Sequence, residues 1–127
     1  MKKVIYIIVT LAVIGGVVWL IATPGKPGQY DDFAKCLGEK GAIFYGAFWC
    51  PHCQNQKALF GKSAKLLPYV ECSTPDGQGV LQVCKDAGIT GYPTWHIPVA
   101  GTTTPVVLNG EISLEILAEK TSCVLPQ

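Results

Sequence analysis

Two cysteines, Cys50 and Cys53, stand three residues apart with Pro51 directly after the first, and an apolar, aromatic run from Ala42 to Phe48 leads into them. No other stretch restricts the possible folds as much. The run reads as a buried strand. Pro51 reads as the first residue of a helix, because proline's missing N–H would be an orphan there anyway. A strand that passes straight into a helix start places Cys50 at the positive end of the helix dipole, which favours thiolate over thiol. Positions i and i+3 are neighbours on a helix, so the two sulfurs can close a tight disulfide and open it again. His52, between them, offers an imidazole that adds to the effect. The chemistry implied is thiol–disulfide exchange, with Cys50 as the attacking or attacked sulfur and Cys53 as the resolving one.

The start of the chain has a different character. After Lys2 and Lys3 comes an uncharged run from Val4 to Ala22, with Tyr6 and Trp19 near its margins. Its 19 residues, at about 1.5 Å each, span about 28 Å, close to a bilayer core of about 30 Å. A cleaved signal peptide is the competing reading. The run is longer than a usual signal core, and Leu20 is too large for the third position before a cleavage point after Ala22. The expected organisation is an anchor over 1–22, a proline- and glycine-rich linker over 23–29 and one domain over 30–127. Lysines at the N-terminus stay on the cytoplasmic side, so that domain faces outward.

The chain has 127 residues, a formal charge of +1, ten lysines, no arginine and nine scattered acidic residues. Without a basic stripe, nucleic-acid binding is disfavoured. All six cysteines follow the apolar run, a usage that suits an oxidising compartment.

Periodicity and turn residues predict a helix over Asp31–Lys40, a strand over Ala42–Phe48, and a helix from Pro51 to about Leu66, bent or interrupted near Gly61. A short strand over Tyr69–Cys72, a loop over Ser73–Gly79 and a helix over Val80–Ala87 follow. Strands over Thr94–Ile97 and Pro105–Leu108, an Asn109-Gly110 turn and a helix capped by Ser113 and running to about Lys120 complete the series. The strand–helix–strand unit around the cysteines implies a parallel pair with a right-handed crossover. The last two strands imply an antiparallel hairpin.

The string Trp49-Cys50-Pro51-His52-Cys53, followed by Gly91-Tyr92-Pro93-Thr94, resembles the thioredoxin superfamily. The run from Gly46 to Lys57, with Tyr69-Val70-Glu71-Cys72 and Gly91-Tyr92-Pro93-Thr94-Trp95, is similar to the thioredoxin-like domain of vitamin K epoxide reductase homologues. The likeness covers roughly residues 33–120. It implies an α/β thioredoxin fold, a central mixed sheet flanked by helices, here with an N-terminal transmembrane helix. It implies a cis bond before Pro93, facing the active cysteines. The N–H that proline lacks would leave the Tyr92 backbone free to pair with a substrate strand. It also implies a structural disulfide between Cys72 and Cys84, and a Trp49 that shields and shapes the site. The redox-active disulfide serves as the only cofactor, and no metal is expected. In those homologues the domain is fused to a membrane protein that passes electrons to a quinone. The expected partners are therefore protein thiols and a quinone-linked membrane oxidoreductase of that type. The expected location is a bacterial cytoplasmic membrane, crossed once, with the domain facing the periplasm or cell exterior.

Family members with Pro-His between the cysteines include strong oxidants, although those carry a large helical insertion before the proline that is missing here. The direction of electron flow stays open: a reductase or isomerase of exported proteins is the competing enzyme reading. A metal-binding or disulfide-stapled interaction module is the non-enzymatic one. Thioredoxins also carry a buried acid six residues before the first active cysteine, where this chain has Phe44. Water or substrate would then take the Cys53 proton. Lys57 reads as a solvated charge, and His96 as a packed or edge residue. Cys36 and Cys123 are left without an assigned state. If their helices lie on opposite faces of the sheet, as the family fold suggests, pairing is not easy.

Overall fold

The computed structural model describes residues 1–22 and 25–127, so Thr23 and Pro24 of the expected linker lie outside the described residues. Helix α1 (Lys2–Ala22) carries no buried residue and is long and apolar enough to cross a membrane. After it come α2 (Asp31–Glu39), β1 (Ile43–Gly46), α3 (Pro51–Phe60), a 3-10 segment (Gly61–Leu66) and β2 (Tyr69–Glu71). The chain continues through α4 (Gln82–Asp86), β3 (Thr94–Ile97), β4 (Val106–Asn109) and α5 (Leu114–Thr121). The sheet order is β2-β1-β3-β4. β1 pairs parallel with β2 and antiparallel with β3, and β3 pairs antiparallel with β4. This is the thioredoxin fold, a mixed four-stranded sheet flanked by helices.

Side chains alternate across a strand, and here the alternation divides the interior in two. Phe44 on β1 and Trp95 and Ile97 on β3 point to one face, where α2, α3 and α5 add Phe33, Leu37, Phe60 and Leu117. Phe44 lies directly opposite Trp95 and stacks on it, with ring centroids 4.9 Å apart. Cross-strand aromatic pairs of this kind contribute roughly 0.2–1 kcal/mol over Ala–Ala. Tyr45 points to the other face and joins Cys72, Cys84 and Ile89 in a smaller cluster beside α4.

Helix α3 stops at Phe60 because Gly61 takes φ +53°, and the chain tightens into the 3-10 segment. Ser63 of that segment is buried and accepts a hydrogen bond from the Tyr30 N–H at 3.0 Å. Gly28 packs so closely here that a Cβ on it would come within 2.3 Å of the Ser63 hydroxyl. The end of the linker is thereby pinned to the domain.

Placement of the first and last helices on opposite faces is overturned. α2 and α5 contribute to one and the same core, and Cys36 is disulfide-bonded to Cys123 with 5.9 Å between their Cα atoms. The chain reverses after α5 at Ser122, in the left-handed region at φ +58°, and delivers Cys123 back into the core at 5% exposure. α2 lies against the end of α3: Phe33 stacks on Phe60 at 5.9 Å.

Candidate active site

Strand β1 ends at Gly46, and the chain turns through buried Ala47 and half-exposed Phe48 and Trp49 to reach Cys50. Cys50 has extended backbone angles as the N-cap of α3, and Pro51 occupies the first helical turn. The turn is held by the Cys50 N–H donating to the Ala47 carbonyl at 3.0 Å and the Gln54 side-chain amide donating to the Phe48 carbonyl at 2.9 Å. Cys50 and Cys53 both stand as free, buried thiols.

The Cys50 sulfur lies 3.8 Å from the carbonyl oxygen of Tyr92, and the Tyr92–Pro93 bond is cis. Trp49 closes one side: its ring meets that of Tyr92 edge-on at 6.1 Å, and its indole N–H donates to the Ser73 hydroxyl at 2.8 Å. Ser73 belongs to the loop that joins Cys72 to α4, and the Cys72–Cys84 disulfide, with Cα atoms 5.6 Å apart, closes that loop. Gly77 in the same loop has φ +75°, and a Cβ there would stand 3.5 Å from the Trp49 ring. The structure thus brings Trp49, Cys50, Cys53, Tyr92 and Pro93 to one end of the sheet, with the Cys72–Cys84 bridge beside them.

His52 is exposed, and its Nδ1 lies 2.6 Å from a Glu111 carboxylate oxygen. Asn55 donates to the same oxygen at 3.0 Å. These two contacts hold the Glu111 carboxyl below the usual carboxylate range. Glu111 is kept in place from the neighbouring residue. Buried Gln56 donates to the Ile112 carbonyl at 2.9 Å and accepts from its N–H at 2.7 Å. His96, by contrast, packs edge-on against Tyr45 at 5.0 Å and pairs with Ile43, at the opposite end of β1 from Cys50. Burial lowers its pKa.

A thioredoxin family model matches residues 30–122. The chain belongs to the thioredoxin family. Thiol-disulfide oxidoreductase LTO1 of Arabidopsis thaliana is 50% identical over 99 residues, which cover 74% of this chain and 24% of that protein. A protein disulfide-isomerase of Neurospora crassa, erp38, is 28% identical over 103 residues, covering 75% of this chain and 28% of its own length. Protein disulfide isomerase-like 2-2 of Oryza sativa is 32% identical over 114 residues, covering 80% and 30%. The chain therefore spans about a quarter to a third of the length of the curated relatives it matches. It is a thiol-disulfide oxidoreductase-like thioredoxin domain that follows an apolar helix.

In this thioredoxin domain Cys53 is the more deeply placed of the two thiols. Cys53 has no exposed surface, and burial pushes its thiol up to about 12. A backbone hydrogen bond from Ala47 works against that rise, the neighbouring Cys50 reinforces it, and the charge of Lys57 opposes it. Gly46 makes room for the sulfur, since a Cβ there would come 3.0 Å from Cys53 Sγ.

Lys57 is not the freely solvated charge its position suggested. Its stem is half-buried, and its ammonium sits 3.6 Å from the centre of the Tyr69 ring. The Tyr69 hydroxyl donates to Glu71 at 2.7 Å, and the other Glu71 oxygen accepts from the N–H groups of Ser73 at 2.8 Å and Phe48 at 3.2 Å. Burial and then the Glu71 contact raise the Tyr69 phenol above its ordinary value. Tyr69 and Glu71 stand in the sequence only within the Tyr69-Val70-Glu71-Cys72 string, which assigns them no role, and Glu111 carries no motif at all. Among the described residues, no three His, Cys, Asp or Glu side chains stand together as a metal-binding group.

Proposed function

We propose that this protein is a membrane-anchored, extracytoplasmic thiol–disulfide oxidoreductase. Residues 1–22 form the anchor, 23–29 the tether and 30–127 the redox domain. The observation that carries the reading is the Cys50 sulfur at a helix start, facing the Tyr92–Pro93 step while Cys53 lies buried one turn further in. Cys50 attacks a disulfide of a protein substrate seated against Trp49 and the Tyr92 backbone; the mixed disulfide forms as the substrate's S–S bond breaks and one substrate sulfur leaves as thiolate. Cys53 then attacks the Cys50 sulfur, the Cys50–Cys53 bond forms, and the substrate sulfur leaves with the electron pair. In the oxidising direction the same bonds are made and broken in reverse.

The 50% identity to a thiol-disulfide oxidoreductase about three times as long as this chain supports a division of labour in which a quinone-linked membrane oxidoreductase of the vitamin K epoxide reductase type reoxidises the domain. His52 with Glu111 tunes the exposed end of the couple. The isomerase names of two relatives support isomerisation as the second reading. Exchange of the Cys50–Cys53 disulfide with a dithiol peptide tests the activity: it is lost in Cys50→Ser, whereas Cys53→Ala, offered a disulfide-bearing partner, accumulates the mixed disulfide and captures that partner. Equal exchange in Cys50→Ser refutes the assignment. A Cys50–Cys53 pair held mostly as disulfide in the cell supports the oxidase direction, and one held as dithiol supports the reductase or isomerase.

A further inference from the structure

Cys53 must lose its proton to attack, yet it lies in the least favourable place on the domain for a negative charge. Desolvation of a thiolate is offset most directly by an opposite charge nearby. The titratable groups near Cys53 come from its own helix turn and from two other elements. The start of α3 supplies Cys50, β2 supplies Tyr69 with Glu71 hydrogen-bonded behind it, and the segment before β3 supplies Tyr92. Tyr69, Tyr92, Glu71 and Cys50 are neutral or negative. Among the described residues, the one cation acting on Cys53 is Lys57.

Its placement follows from helix geometry and a seat on the sheet. Lys57 is the i+4 neighbour of Cys53, so both side chains leave α3 on one face. Left in water, a lysine there would sample many rotamers. Here the Tyr69 ring holds the ammonium at 3.6 Å, a cation–π contact. The same ring and the Cys53 sulfur both border the gap at Gly46. The point where a Gly46 Cβ would stand is 3.0 Å from Cys53 Sγ, 2.8 Å from a Tyr69 ring carbon and 3.4 Å from the Tyr69 hydroxyl. Sulfur and ring thus flank Gly46 together, with the ammonium seated on the ring. Glu71, hydrogen-bonded to the Tyr69 hydroxyl, fixes the ring.

We propose that Lys57, seated on the Tyr69 ring, is the counter-charge against which Cys53 ionises when it resolves the mixed disulfide. This rests on the exchange chemistry proposed above for Cys50 and Cys53. In the step, Cys53 gives up its proton to solvent or to the departing sulfur. The Cys53–Cys50 bond forms, the bond from Cys50 to the partner sulfur breaks, and the electron pair leaves on that sulfur. Lys57 contributes charge and takes no proton.

The test uses the reduced full-length chain in detergent with dithiobis-nitrobenzoate, which separates the two thiols in time. The first thionitrobenzoate released reports attack by Cys50, and the second reports resolution by Cys53. Losing an opposite charge beside a thiol raises its pKa by about one or more. Each such step cuts the thiolate fraction about tenfold, while the remaining thiolate becomes about threefold more nucleophilic. Lys57→Met is therefore expected to slow the second phase about threefold to fourfold at neutral pH, and to move its pH profile to higher pH. The first phase keeps its rate. Lys57→Arg restores the second phase, and Tyr69→Leu, which removes the seat, slows it in the same way. An unchanged second phase in Lys57→Met, or equal slowing of both phases, overturns the proposal and leaves the exchange chemistry standing. Absence of a first phase in the unmodified protein overturns both.

Discussion

Cutting the Cys36–Cys123 bridge measures what holds the C-terminal helix to the domain. The bridge joins residues 87 apart, so it closes nearly the whole domain into one loop. In the chain-entropy description, a cross-link over that separation disfavours the unfolded ensemble by about 4.6 kcal/mol at 25 °C. The Cys72–Cys84 bridge, over a separation of 12, is worth about 2.8 kcal/mol by the same relation. Against a total domain stability of about 5–15 kcal/mol, the longer bridge is a large share. The variant to make is Cys36→Ala with Cys123→Ala, in the full chain, unfolded in urea under oxidising conditions and followed by the fluorescence of buried Trp95. With a urea dependence of about 1–3 kcal/mol per molar, the midpoint falls by roughly 1.5–4.5 M. The control is the same titration with reductant, which opens the bridge in the unmodified protein too. The two proteins then converge, apart from the packing lost with the buried Cys123 sulfur. A gap that persists undiminished under reductant would refute the cross-link argument and assign the loss to packing alone.

Two further outcomes follow from the site. Cys53 has a folded pKa raised from an ordinary 9.0 to about 12, so the folded dithiol keeps a proton that the unfolded chain releases. The stability this contributes is fully present below pH 9 and is lost as the pH climbs towards 12. The Cys50–Cys53 disulfide form has no such thiol, so alkaline unfolding of reduced and oxidised protein should diverge across that window, and superimposable curves would refute the burial argument. Gly46→Ala places a Cβ 2.8 Å from the Tyr69 ring and 3.0 Å from the Cys53 sulfur. Overpacking of this kind costs about 1–3 kcal/mol, read as a lower urea midpoint. A midpoint equal to that of the unmodified protein would mean the gap behind Cys53 is looser than these distances describe.

The features that a sequence displays well are those set by local chemistry. Pro51 after Cys50 marks a helix start whatever surrounds it, Gly61 ends that helix through its own backbone angles, and Ser113 caps α5 by accepting from the Ile116 N–H. The alternation in β1 and β3 puts Phe44 and Trp95 in the core without reference to any neighbour. What stayed hidden depends on which elements end up side by side. Lys57 reads as solvated because its seat, Tyr69, lies on another strand. Only the parallel register that sets Phe44 beside Tyr69 turns that ring towards α3. Glu111 reaches His52 across 59 residues, through a Gln56–Ile112 amide pair that no pattern announces. The pairing of Cys36 with Cys123 stayed open for the same reason, since the face on which α2 packs is settled by Phe33 meeting Phe60. Phe44 in place of the family's buried acid was the one sequence clue to this hidden layer. A core residue there removes the charge beneath the active helix. The resolving thiol must then be served from the side, and Lys57 lies one helical turn from Cys53 in that direction.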